Sequence, residues 1–106
     1  MNNGPEGALM VISVELQLLG VFQRVSGETR VHMKLKKPTT LKEAIRNLTD
    51  SVSPKLKRFL IDPELEDPRP NALILVNGKE ISILQGLETR IDDGDEIILI
   101  PVSHGG

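Results

Sequence analysis

The sequence predicts an α+β fold: a mixed sheet of four to five strands, one main helix packed on one face of the sheet and a short second helix. Three observations lead to this prediction. Two early stretches alternate apolar and polar residues, the stretch after Thr40 carries apolar residues at helical spacing, and the run IILI near the end is apolar at every position. With 106 residues, the chain is expected to form one domain over residues 10–102.

The first two strands are predicted at 11–19 and 29–36, in VISVELQLL and TRVHMKLK. Each alternates with a period of two, so one face of each strand is expected to be buried. Residues 20–27 lie between two glycines and are expected to form the turn of a hairpin. The residues expected to face the core are Ile12, Val14, Leu16, Leu18, Val31, Met33 and Leu35.

The main helix is predicted over about 40–50. Thr40 and Glu43 have the spacing of a capping box, in which each side chain bonds a backbone N–H of the other residue. The apolar residues that follow at helical spacing predict one buried stripe on this helix. They are Leu41, Ala44, Ile45, Leu48 and Val52.

A second, short helical piece is predicted in SPKLKRFL. Ser53 is expected to be its N-cap and Pro54 its first helical residue. Three apolar side chains of this piece are expected to face inward, namely Leu56, Phe59 and Leu60.

The rest of the chain is expected to be a loop followed by strands. Residues 62–70 contain three prolines and predict a loop. Asn77-Gly78, between two apolar runs, predicts a tight hairpin because both positions of such a turn need positive φ.

The final strand is predicted at 96–102, after a turn at Asp93-Gly94. Because Ile97 to Ile100 are apolar at each position, this strand is expected to lie in the centre of the sheet. If it lies beside the first strand, the crossover through the helix is expected to be right-handed. Pro101, which lacks an N–H, is expected to mark the end of strand pairing.

The composition excludes several kinds of function. With no cysteine, the chain can form no disulfide, thiolate metal site or cysteine nucleophile of its own. Its apolar runs fall short of a membrane helix, and residues 1–9 lack the basic start of a signal peptide, so a cytoplasmic location is expected. Residues 1–9 are polar and contain two glycines and a proline, so they are expected to form a disordered tail. The net charge of −2 combines a basic stretch over 30–58 with an acidic stretch over 59–106. We interpret these as two solvated faces, since no nucleic-acid motif accompanies the basic stretch.

The C-terminal third carries a family resemblance. ILVNGKEI and LETRIDDGDEIILIPVSHGG resemble the MoaD/ThiS sulfur carriers and the ubiquitin-related modifier group, especially archaeal members. The resemblance is most specific over 72–106 and weaker over 11–60, and DPRPNALILVNG is more similar to the ubiquitin-related modifier branch. It implies a β-grasp, ubiquitin-like fold and a flexible tail over 103–106 that ends in Gly105-Gly106.

The resemblance also implies the chemistry of that tail. An adenylating enzyme of the ubiquitin-activating type would use ATP to convert the Gly106 carboxylate into an acyl-adenylate. A sulfur nucleophile of a partner would then attack, giving either a thiocarboxylate that donates sulfur or an acyl group that ends on a lysine of a target protein. On this interpretation the chain is a monomeric carrier or modifier rather than an enzyme, and it binds no cofactor or metal itself.

Other polar and apolar residues are expected to assist binding or to be structural. Ser103 and His104 are expected to contact the partner's channel as the tail passes through it. His32 is interpreted as an exposed strand residue, and the acidic turn at 92–96 as solvated rather than as a cation site. In ubiquitin-like domains the outward face of the last strand is a docking patch, which here would comprise Ile98 and Ile100, although plain sheet packing would explain them equally well.

Three functions stay open at this point. The first is a carrier or modifier that acts with a sulfurtransferase or on target lysines, for example in tRNA thiolation or protein conjugation. The second is the small subunit of a molybdopterin synthase, with its tail in the large subunit, and the third is a β-grasp interaction module whose Gly-Gly is incidental.

Overall fold

The structure is a computed structural model that describes residues 10–102, so the predicted tails at 1–9 and 103–106 lie outside the described residues. The strands and helices follow one another along the chain. They are β1 (Val11–Leu18), α1 (Gly20–Ser26), β2 (Arg30–Lys36), β3 (Thr39–Thr40), α2 (Leu41–Asn47), a π-helical turn (Leu48–Val52), a 3₁₀ turn (Pro54–Leu56), α3 (Lys57–Leu60), β4 (Ala72–Val76), β5 (Lys79–Glu80), two further 3₁₀ turns (Ile81–Ile83 and Gly86–Glu88), β6 (Arg90–Ile91) and β7 (Glu96–Pro101).

The main sheet has five strands in the order β2-β1-β7-β4-β5. β7 pairs in parallel with β1 and antiparallel with β4, so the last strand of the chain lies in the centre beside the first. β3 and β6 form a separate two-stranded ladder. The predicted mixed sheet and its central last strand are confirmed. Among the described residues, no helix has the length and apolarity needed to cross a membrane.

One face of the sheet is covered by the helices, and the core lies between them. All seven residues predicted to face inward from β1 and β2 are buried, as are Ile97 and Leu99 of β7. The helix α2 adds Leu41, Ala44 and Ile45, and Leu48 follows from the π-helical turn. The other face of the sheet has no helix over it within residues 10–102 and is called the open face below.

The start of α2 follows the prediction in part. The Thr40 hydroxyl oxygen accepts a hydrogen bond from the Glu43 N–H at 3.3 Å. The Glu43 carboxylate contacts Arg46 Nη1 at 3.4 Å, so the Thr40 half of the predicted capping box is the half that forms.

The predicted turn over 20–27 is wrong, because residues Gly20–Ser26 form the helix α1. Phe22 is buried, and Val21 and Val25 pack against the core, which stabilises this helix of about two turns. Gly27 ends the helix in the left-handed conformation (φ 80°) and donates its N–H to the Gln23 carbonyl at 2.8 Å.

Two of the predicted core residues, Val52 and Phe59, are exposed, with relative accessibilities of 47% and 44%. Val52 lies in the π-helical turn, where the Ser53 N–H bonds the Leu48 carbonyl five residues back, and the wider turn moves Val52 away from the stripe. Leu56 and Leu60 are buried as predicted. The short second helix is confirmed, with Pro54 at its start, but the Ser53 side chain makes no capping hydrogen bond.

Candidate functional site

The central strand β7 presents one pair of side chains to each face of the sheet. Ile97 and Leu99 have no exposed surface, whereas Ile98 and Ile100 are half-buried on the open face. The outward orientation of Ile98 and Ile100 therefore agrees with the alternation of the strand. Their role as a docking patch stays a prediction.

Two residues of β4 extend this apolar surface. Leu73 lies opposite Ile100 and Leu75 opposite Ile98 in the antiparallel ladder, so the four side chains share the open face. Leu73 is 39% exposed. The set Leu73, Leu75, Ile98 and Ile100 is called the open-face patch below. Sequence analysis missed the two leucines because ALILV is apolar throughout, but alternation within that strand would have separated them from Ala72, Ile74 and Val76.

A charged border lies beside the open-face patch. Glu15 of β1 and Glu96 of β7 are opposite each other in the parallel ladder, which places like charges side by side. Arg30 of β2 forms an ion pair with Glu15 and lies 3.9 Å from the Glu96 carboxylate, while His32 Nε2 lies 3.3 Å from Glu15 Oε1. The guanidinium of Arg30 thus offsets the repulsion between the two carboxylates.

The carboxylates of the acidic turn before β7 accept hydrogen bonds from neighbouring segments of the sheet. Asp93 Oδ1 accepts the Ser13 N–H at 2.8 Å, and Asp95 accepts the Asp92 N–H at 2.7 Å and the Asn77 side-chain amide at 2.9 Å. The Asp92 carboxylate lies 3.0 Å from Lys37 Nζ. Within residues 10–102, no group of three or more His, Asp or Glu side chains is arranged to hold a metal ion.

The end of β7 fixes where the tail leaves the domain. Pro101 pairs with Ala72, and the Val102 N–H donates to the Asn71 carbonyl at 3.1 Å, so pairing continues one residue past the predicted end. Val102 is 39% exposed. The predicted tail residues Ser103, His104, Gly105 and Gly106 lie outside the described residues. They follow directly on the strand that carries Ile98 and Ile100.

Comparison with known proteins agrees with this geometry. The model of the ThiS family matches residues 16–106. Small archaeal modifier protein 3 of Haloferax volcanii is 27% identical over 95 residues, which cover 90% of this chain and all of the relative. The ubiquitin-related modifier 1 homolog of Dictyostelium discoideum is 26% identical over 99 residues, with 90% of this chain and all of that protein covered.

A solved structure of another archaeal modifier has the same fold and a similar sequence identity. The solution structure of small archaeal modifier protein 1 from Methanosarcina acetivorans has a TM-score of 0.77 and 27% identity, and the match covers 91% of this chain and 98% of that one. The β-grasp fold and the resemblance found in the sequence are thereby confirmed. The chain belongs to the ThiS family, among the ubiquitin-like sulfur carriers and modifiers.

Proposed function

We propose that the chain is a ubiquitin-like modifier or sulfur carrier whose reactive group is the Gly106 carboxylate. The observation that carries this proposal is the family match, which runs through to residue 106 and so includes Gly105 and Gly106. Val102 is held to the sheet by the Asn71 carbonyl, and the four residues beyond it can span roughly 13 Å when extended. That length is enough to carry a carboxylate into the active site of another protein.

The chemistry requires partners. A free carboxylate is a poor electrophile, so an adenylating enzyme would first use ATP to form an acyl-adenylate at Gly106, with pyrophosphate leaving. A sulfur nucleophile of a partner would then displace AMP, because this chain has no cysteine. Hydrosulfide as the nucleophile gives the thiocarboxylate directly, whereas a persulfide gives an acyl disulfide that a second thiol reduces to the thiocarboxylate. A partner thiolate gives a thioester, from which the acyl group passes to the amine of a target lysine as the thiolate leaves. ATP is thus a substrate of the partner enzyme in the cytoplasm rather than a cofactor of this chain.

The open-face patch is the surface that fits the activating enzyme. Its four apolar side chains lie on the strand that leads into the tail and on the neighbouring strand. An enzyme bound there would receive the tail without any rearrangement of the sheet. Central apolar side chains with a charged border are the usual arrangement of a protein-binding surface.

The test is intact-mass analysis of the full chain after incubation with ATP, a sulfur donor and the host's adenylating enzyme. Replacement of oxygen by sulfur at Gly106 supports the carrier function. The modifier function is supported if trypsin digestion of other proteins yields lysines that carry the branched peptide of residues 91–106, because Arg90 is the last tryptic site of the chain. A tight complex with a pterin-binding subunit would instead indicate a molybdopterin synthase. If a chain that lacks Gly106 still forms an adenylate, the proposal is wrong.

The docking surface is tested with matched substitutions. We expect Ile98→Asp and Ile100→Asp to weaken binding to the adenylating enzyme while the fold is kept. Ile83→Asp is the control, because Ile83 is 72% exposed and lies outside the open-face patch. An equal loss of binding in all three variants would contradict the assignment of this surface, and unfolding of the Ile98 variant would show a packing role instead.

A further inference from the structure

A cleft of about 480 Å³ lies on the helical side of the molecule, between α2 and the segment 57–68. This volume falls within the range of ligand pockets, roughly 300–1,000 Å³. Apolar side chains line part of it, and Ile61 and Leu87 are only partly buried there. The cleft thus offers a place for an apolar group that the core itself does not fill.

The rim of the cleft is mainly positive. Four cationic residues line it, against two acidic ones, Asp50 and Glu66. Lys57 lies 3.9 Å from Asp50, so that acid is partly offset. The four cations are Lys42, Arg46, Lys57 and Arg58.

Within the described part of the chain, two of these cations make no close ion pair, although the charge of Lys42 also acts on the Asp67 carboxylate. Among residues 10–102, neither Lys42 nor Arg58 has an ion-pair partner within 4.0 Å, and both residues are exposed. They lie on the two walls of the cleft, on α2 and α3 respectively. An anionic group between the walls would therefore meet a cation from each side.

Hydrogen bonds within the segment hold the wall formed by residues 62–69. Asp62 Oδ1 accepts the N–H groups of Glu64 and Leu65 at 3.0 and 2.9 Å. Arg69 holds the Asp67 carboxylate through two nitrogens, at 3.0 and 2.6 Å, and this hydrogen bonding lowers the pKa of Asp67. A preformed wall reduces the entropy lost when a ligand binds.

A second cleft on the other side of α2 provides a contrast. It has a similar volume of about 470 Å³, but its charged residues are balanced, with Lys36 and Arg46 against Glu43 and Asp50. Excess positive charge is therefore a property of the first cleft and not of every groove beside this helix.

We propose that the first cleft binds an acidic peptide segment of a partner protein, with an apolar side chain of the segment inside the cleft and its carboxylates at Lys42 and Arg58. Charge complementarity favours this occupant, because the rim carries more cations than acids and apolar side chains line part of the interior. The cleft lies on the helical side and the open-face patch on the other side of the sheet. Both surfaces can therefore be occupied at once, so a partner could recognise this protein while its tail is engaged elsewhere.

The test uses a synthetic end-blocked peptide, Glu-Glu-Leu-Glu-Asp-Leu-Glu, titrated into the isotope-labelled full chain and followed by NMR. We expect shifts confined to α2, the π-helical turn, residues 57–68 and Leu87. A second peptide with Gln and Asn in place of the acids, and a third with Ser in place of the leucines, should each bind at least tenfold more weakly. No binding of the first peptide at millimolar concentration, or shifts centred on the open-face patch, would overturn the proposal.

Matched charge reversals separate the cleft from general attraction. Lys42→Glu combined with Arg58→Glu should weaken binding at least tenfold. The control, Lys34→Glu combined with Lys36→Glu, makes the same change of charge on β2 and should alter the affinity less than twofold. The milder pair Lys42→Gln and Arg58→Gln repeats the test if the reversal disturbs the fold. Equal losses in cleft and control variants would contradict the assignment. A dimer in sedimentation analysis that the cleft variant dissociates and the control variant does not would also contradict it.

Discussion

The two faces of β7 carry similar aliphatic side chains but differ in how far those side chains are buried. Ile97 and Leu99 are completely buried under the helices, whereas Ile98 and Ile100, next to them in the chain, keep part of their surface in contact with solvent. Burial beneath the helices contributes to folding, because that surface is removed from water in the free protein. The surface left on the open face is still available to contribute to binding. Hydrophobicity alone therefore does not separate core from interface in this strand, but the side of the sheet does.

The largest expected effect tests this difference directly. Leu99→Ala should lower the free energy of unfolding by about 2–5 kcal/mol, because it leaves a cavity in a filled core. Ile98→Ala should cost less than about 1.5 kcal/mol, since its side chain is already partly hydrated. Urea unfolding of both variants gives the comparison, and equal losses would mean that the open face is covered in the free protein.

A somewhat smaller effect is expected where β7 leaves the sheet. Gly20 has a φ of +54°, and a Cβ at this position would lie 2.7 Å from Pro101 Cγ. Gly20→Ala should therefore lower the free energy of unfolding by about 1–3 kcal/mol. Gly27→Ala is the matched control, because Gly27 also has positive φ but a Cβ there would have open space. Gly27→Ala should lower the free energy of unfolding by about 1 kcal/mol, because only the left-handed backbone conformation disfavours a side chain there. If thermal unfolding shows the same loss for both, the contact with Pro101 contributes nothing.

The helix that covers the buried face gives the third prediction. Thr40→Ala should lower the free energy of unfolding by about 1 kcal/mol, because the Glu43 N–H loses its acceptor. Thr40→Ser keeps the hydroxyl and should restore most of the loss. Chemical unfolding of the two variants measures the difference, and a serine variant as unstable as the alanine variant would show that the hydrogen bond is not the cause.

The smallest effect is expected in the loop outside both faces. Hydrogen bonding to Arg69 lowers the pKa of Asp67 below 3.8 in the folded protein. The resulting stability is therefore present above about pH 3.8 and is lost as the pH falls through the lowered pKa. Arg69 is 53% exposed, so the contribution at neutral pH is expected to be only about 0.2–1 kcal/mol.

Arg69→Gln should remove this contribution. The unfolding free energy of the variant should fall less steeply than that of the parent chain between about pH 4 and pH 2, as measured by urea unfolding at a series of pH values. Parallel pH profiles would contradict the assignment.

Buried residues could be predicted where a strand has one solvated face and one buried face. β1 and β2 alternate cleanly because one side is solvated, and every inward residue was predicted. The patch residues Leu73 and Leu75 were missed because β4 is apolar on both sides, so alternation divides its residues into two sets but does not show which set is exposed. The helix α1 was missed because its flanking glycines suggested a turn, although Gly27 in fact caps the helix.

The remaining errors have a geometric cause. Val52 was assigned to the helical stripe on a period of 3.6 residues, which the π-helical turn interrupts. No residue in LTDSV indicates that turn, so only the packed structure shows it. The charged cleft was missed for a similar reason, because its walls come from α2 and from residues 57–68, which are brought together only by the fold.

The parallel pairing of β1 with β7 has a mechanical consequence. A force that pulls the two ends of the chain apart would draw β1 and β7 along each other in opposite directions. The ladder between them, from Glu15 with Glu96 to Leu18 with Leu99, would then be loaded in shear, so that several hydrogen bonds must break together rather than one after another. An unfolding enzyme that pulls on the C-terminus should therefore meet high mechanical resistance at β7.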